Sequence, residues 1–134
     1  VVVGIAGFGA AGLGGAGQAA TGFAGAPPGG VGFAATVEPF VTKACNCHQS
    51  NPLMAPFSMK VGEGYANLVN APSQQLPSMM RVKASSMTES YLWYKINGTQ
   101  AQVGGSGMIM PYTSPLNADE KAIFERWIAA GAPP

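Results

Sequence analysis

The sequence predicts an all-α fold of short helices and long loops, preceded by a Gly/Ala-rich apolar arm. Three observations predict it. Helix caps and helix stops recur along the later part of the chain. No run shows the period-two alternation of a half-buried strand. The composition also changes abruptly: all charges (Lys+Arg 7, Asp+Glu 6) fall from Glu38 onward, whereas residues 1–32 hold twelve of the 19 glycines. The chain therefore divides into an arm, residues 1–35, and one domain, residues 36–134, long enough to bury a modest core.

Composition excludes several classes. A net charge of +1 gives no basic stripe for nucleic acid. Charged residues make up 10% of the chain, against about a quarter in an average soluble domain, so the surface is unusually neutral. Two cysteines do not make a disulfide scaffold, and one histidine confines imidazole chemistry to a single position.

Val1, with neither Met nor a basic n-region around it, reads as a processed N-terminus. Glycine interrupts the apolar arm too often for a good membrane-spanning helix. Alone in water such a segment buries too little surface to offset its chain entropy. It is expected to order by packing on neighbouring copies, giving a homo-oligomer or filament, with docking on its own body or in a membrane as the alternatives. Gly7-Phe8-Gly9-Ala10-Ala11-Gly12 matches a dinucleotide-binding pattern. That pattern requires an acidic residue about 20 positions on. The first acid is Glu38, beyond the break at Pro27-Pro28, so the match is one of chance.

In the domain, Thr36 is placed to cap a helix starting at Val37, with Glu38 and Pro39 in its first turn and Phe40, Val41 and Ala44 on its apolar face. Tyr65 to Val69 reads as a short second helix. Thr88 opens a third, which carries Leu92, Trp93 and Ile96 on one face and stops at Gly98. The last is the clearest. Asn117 and Glu120 form a capping box, Ile123, Phe124, Trp127 and Ile128 repeat at helical spacing, and Gly131 ends it.

The chemistry concentrates at Cys45-Asn46-Cys47-His48, which holds both cysteines and the only histidine. Cys-His adjacency is the ending of the C-x-x-C-H haem attachment sequence. A cysteine sulfur bonds a haem vinyl group, and the following histidine is held beneath the iron. Zinc wants a second ligand pair, which is absent. A Cys45–Cys47 disulfide closes a small, strained ring. A nucleophilic Cys-His pair needs the two side chains face to face, which sequence neighbours rarely achieve. The spacing departs from the usual motif, with one residue between the cysteines. Either Cys47 bonds alone, with Ala44 at the usual first position, or Cys45 bonds too through non-helical backbone. On a helix the two would point about 200° apart.

From Glu38 onward the chain resembles small class I c-type mono-haem cytochromes of the planctomycete and myxobacterial type. The resemblance rests on Cys47-His48, Tyr91-Leu92-Trp93-Tyr94-Lys95-Ile96, Gly107-Met108-Ile109-Met110-Pro111 and Trp127-Ile128-Ala129-Ala130-Gly131-Ala132. It covers about three quarters of the chain and excludes the arm. It implies a cytochrome c-like haem domain with crossing first and last helices and one covalently attached haem c. His48 would be the proximal iron ligand. Met110, directly before Pro111, would be the distal one, with Met108 as runner-up; Gly104, Gly105 and Gly107 would let that loop approach the porphyrin. A proline carbonyl, from Pro52, would orient the imidazole. Tyr65, Tyr91, Trp93 and Tyr112 would wall the haem, and Lys43, Arg81, Lys83 and Lys95 are candidates to meet its propionates.

Two axial ligands leave iron no open position, which implies outer-sphere electron transfer and no enzymatic role. Such a protein matures outside the cytoplasm, so the expected location is periplasmic or extracellular. Its redox partners are unidentified, and with the arm it would form an extracellular cytochrome filament. The alternatives are a haem enzyme or sensor with an open distal site, or a membrane-anchored monomeric carrier.

Overall fold

The structure is a computed structural model that describes residues 31–51 and 53–134. The chance dinucleotide match and nearly all of the arm, with its expected docking, lie outside them. The described residues form an all-α architecture, with β pairing limited to isolated bridges. A π-helical turn, Phe33–Val37, leads into α1 (Glu38–Ala44), followed by α2 (Gly64–Leu68), α3 (Tyr91–Asn97) and α4 (Ala118–Ala129), with 3-10 turns at Asn46–His48 and Gln100–Val103. No helix among the described residues is long and apolar enough to cross a membrane.

The body begins earlier than residue 36. Phe33 is 2% exposed, and its ring packs on Trp127 at 5.4 Å and Tyr65 at 5.7 Å. Its amide donates to the Pro133 carbonyl at 2.9 Å, and the same carbonyl accepts from Trp127 Nε1 at 2.8 Å. Phe33, Val37 and Val41 recur every four residues and are all buried, so one apolar stripe runs unbroken from the π turn through α1. Thr36 therefore lies inside the helical run rather than at its start. Its hydroxyl donates back to the Gly32 carbonyl at 2.8 Å, the usual bond of a threonine within a helix.

α4 packs against the π turn and against α3. Phe124, Trp127 and Ile128 point into the core with Leu68, Val82, Ile96 and Leu116. Phe40 meets Phe124 edge to face at 5.6 Å. The expected capping box is present: Asn117 Oδ1 accepts from the Glu120 amide at 3.0 Å, and Glu120 Oε2 accepts from the Asn117 amide at 2.8 Å.

The start of α3 differs from expectation. Its first two amides, on Tyr91 and Leu92, donate to the carbonyls of Met80 and Arg81, each at 2.9 Å. A neighbouring extended segment thus satisfies the amides that a Thr88 side chain was expected to cap. The helix stops as expected at Gly98, which takes the left-handed conformation at φ 69°.

Candidate functional site

The backbone breaks at Cys45, and that break builds the site. α1 ends at Ala44. Cys45 leaves helical geometry (φ −111°, ψ 53°) while its amide still bonds to the Val41 carbonyl, and a new turn starts at Asn46. The 200° separation of a continuous helix therefore does not apply. Cys45, half-buried, and Cys47, exposed, both line one cavity.

His48 lines the same cavity. Its Nδ1 lies 2.8 Å from the Phe57 carbonyl. A carbonyl only accepts, so Nδ1 carries the proton and Nε2 keeps the lone pair a metal requires. The expected orienting carbonyl was that of Pro52, which lies outside the described residues; the partner of Nδ1 is Phe57. The physical reason is loop closure. The Met59 amide bonds to the His48 carbonyl at 3.0 Å, and Gln49 Nε2 bonds to the Met59 carbonyl at 2.6 Å. That closure brings Phe57 back over the imidazole, with ring centroids 4.5 Å apart.

The electrostatics favour neutral side chains. Burial lowers the His48 pKa; the bond to the Phe57 carbonyl opposes this, and the Arg81 charge lowers it further. Burial, and then Cys47, push the Cys45 thiol up to about 11. Cys45 is thus a protonated thiol at neutral pH, and a poor nucleophile. Among the described residues no group of three or more His, Cys, Asp and Glu side chains converges as a metal site.

Of the two methionines expected near the last helix, both exposed, Met110 lines the cavity, followed on the wall by Pro111 and Tyr112; Met108 is off the wall. The Met110 amide donates to the Lys95 carbonyl at 3.0 Å, which pins the loop to α3. Met54 also reaches the wall but is 78% exposed. The cavity measures about 390 Å³, and Val41, Leu68, Leu92, Ile96, Leu116 and Phe124 supply much of its apolar lining. That lies within the range of small-molecule and cofactor sites, about 300–1,000 Å³.

Three expectations change. Tyr65 is not on the wall: its ring packs on Phe33, and its hydroxyl donates to the Ala132 carbonyl at 3.1 Å. Trp93 is not on it either, and packs against the core, whereas Leu92 and Ile96 of the same helix line the cavity. Both are large amphipathic rings, and core packing claims them equally well. None of the three loop glycines lines the cavity: Gly105 and Gly107 lie against side chains that do, and a Cβ at Gly104 would meet nothing within 4 Å. A Cβ at Gly105 would collide with the Tyr91 ring, and one at Gly107 would crowd Gln75 and Lys95. Of the four candidate cations, Arg81 and Lys95 line the cavity, and Lys43 and Lys83 do not.

Sequence reasoning missed Phe57 and Gln75. Neither carries a local motif, and both reach the site only through loop closure. The donor set nonetheless suits haem: an imidazole with its Nε2 lone pair, two thiols and a thioether around an apolar cavity. Neither a known family, nor a characterised protein, nor a solved structure matches this chain.

Proposed function

We propose that the chain is a mono-haem c-type cytochrome that carries electrons outside the cytoplasm. The observation that carries this reading is that Cys45, Cys47, His48 and Met110 line a single apolar cavity. Haem iron supplies a one-electron couple. The chain supplies the rest. Cys47, with Cys45, would hold the porphyrin edge through thioethers. His48, fixed by Phe57, would bind iron through Nε2, and Met110 would fill the sixth position. Methionine ligation raises the potential relative to bis-histidine ligation. With His48 and Met110 both holding the iron, no position would be left for a substrate, which favours an electron carrier over an enzyme.

The test is the visible spectrum of the protein produced with haem-attachment machinery, followed by acidified organic solvent. A chromophore that stays with the polypeptide supports the reading, and a colourless protein or complete extraction ends it. Assembly into a filament through the arm is the second part of the proposal, motivated by the uncharged, glycine-rich residues 1–32. Electron microscopy of the full chain and of a truncation lacking those residues tests it; a truncation that still polymerises refutes it.

A further inference from the structure

The segment that carries the Phe57 carbonyl has no regular structure of its own: residues 53–60 are bends and irregular backbone. A carbonyl on such a segment orients an imidazole only if something else holds the segment still. Three side chains, of Asn67, Gln74 and Arg81, do so. Asn67 Nδ2 donates to the Ser58 carbonyl at 2.9 Å, and Gln74 Nε2 donates to the Pro56 carbonyl in a longer bond of 3.4 Å. Between these two bonds stands Phe57. The Arg81 guanidinium covers its ring, with Cζ 3.9 Å from the ring centre, and a cation in that place is attracted by the aromatic face. The carbonyls before and after Phe57 are thus engaged by another part of the chain, and the Phe57 carbonyl is the one given to His48 Nδ1.

Arg81 is itself held through side chain and backbone. Its Nη1 donates to the Asn67 carbonyl at 2.7 Å, which joins two of the holders to each other. Its amide donates to the Ala71 carbonyl at 2.7 Å, and its carbonyl accepts from the Leu92 amide, in the first turn of α3, at 2.9 Å. The Phe57 ring therefore lies between an anchored guanidinium and the imidazole, whose ring centre is 4.5 Å from its own.

We propose that Arg81 is a positioning residue for His48: with Asn67 it clamps Phe57, and through the Phe57 carbonyl it keeps the proton on Nδ1 and fixes where Nε2 points. The clamp deepens the haem reading above, in which Nε2 binds iron, and assigns Arg81 to the imidazole. Without it Phe57 is free to swing, and the Nδ1–H bond opens to water more often.

The experiment follows the Nδ1 proton of His48, the chain's only histidine, by NMR of the full chain as purified and kept reduced. That proton is present with or without haem, so the readout is independent of the spectrum that tests the haem reading. Exchange with solvent reports the opening equilibrium, and a cation–aromatic contact is worth roughly two- to thirtyfold in an equilibrium. Exchange should therefore be faster by roughly that two- to thirtyfold in Arg81→Gln. It should also be faster in Arg81→Lys, which keeps the charge but loses the planar stack; this milder variant carries the test if Arg81→Gln does not fold. In a Phe57→Leu background, which keeps the carbonyl and removes the ring, Arg81→Gln should add nothing. Asn117→Ala weakens the start of α4 and should leave the exchange unchanged. Wild-type exchange in both Arg81 variants overturns the clamp. So does an effect that persists undiminished in the Phe57→Leu background, because Arg81 then acts by its charge alone. Equal acceleration in Asn117→Ala overturns it too, because the opening is then global. A colourless chain whose exchange depends on Arg81 keeps the clamp and refutes the haem reading; a haem-bearing chain whose exchange ignores Arg81 does the reverse.

Discussion

Replacing Phe33 with alanine tests where the folded body begins. By composition Phe33 belongs to the arm; by packing it is core. Its ring is wedged between Trp127 and Tyr65, and its backbone shares the Pro133 carbonyl with Trp127 Nε1. Phe→Ala substitutions in cores cost about 3–5 kcal/mol, and total stabilities are about 5–15 kcal/mol. A loss of that size lowers the melting temperature by more than about 12 °C in a domain of this size. Urea unfolding should show the midpoint falling with the slope unchanged. Gly64 supplies an internal control. A Cβ there would come 2.9 Å from Phe33 Cζ, so Gly64→Ala should cost about 1–3 kcal/mol by overpacking, and less once Phe33 is alanine. A truncation through residue 35 should be less stable than one through residue 32 by about the Phe33→Ala loss. If Phe33→Ala costs under about 1 kcal/mol, or if the two truncations are equally stable, Phe33 is not core and the packing argument fails.

Met110→Ala should remove the methionine-ligated low-spin spectrum and lower the reduction potential, read by visible spectroscopy and redox titration; Met108→Ala should leave both unchanged. Mass spectrometry of a peptide spanning Cys45 and Cys47 should find two thioethers. Cys45→Ala should keep covalent haem with one vinyl group intact, seen as a red-shifted pyridine haemochrome band; a band unmoved by that change assigns the single bond to Cys47. Asn117→Ala should cost about 1 kcal/mol by breaking the capping box, measured by denaturant unfolding.

The parts of the fold legible in the sequence are those fixed by short-range chemistry. The capping box of Asn117 and Glu120, the left-handed stop at Gly98 and the apolar stripe of α4 each depend on residues within one or two turns. The start of α3 was not legible, because its amides are satisfied by Met80 and Arg81 from another segment, and Thr88 is a plausible cap in isolation. The start of the body was hidden for a compositional reason. Gly32, Ala34 and Ala35 look like arm, and only the four-residue recurrence of Phe33, Val37 and Val41 marks the helical run.

The site divides the same way. Cys45, Cys47, His48 and Met110 announce themselves by chemical type, whereas Phe57, Gln75 and the choice of Lys95 and Arg81 over Lys43 and Lys83 arise from tertiary closure. The one-residue cysteine spacing lies between the two. Read as helix, it sets the two thiols on opposing faces. The chain meets this with a local change: α1 terminates at Ala44, Cys45 turns out of helical geometry, and the 3-10 turn at Asn46–His48 begins at once. The His48 amide bonds to the Cys45 carbonyl at 2.9 Å, so the histidine is positioned from the same residue that redirects the chain. The break at Cys45 therefore removes the helical constraint that would set the two thiols on opposing faces, and both line the one cavity. The corollary is that lengthening the motif should be harmful. Inserting a residue between Cys45 and Cys47 restores the common spacing but shifts His48 relative to Phe57 and Met59. Covalent haem should persist in that insertion variant, while the His48–Phe57 bond is lost and the reduction potential changes. An insertion that leaves the potential where it was would mean that the break at Cys45 does not govern how His48 is held.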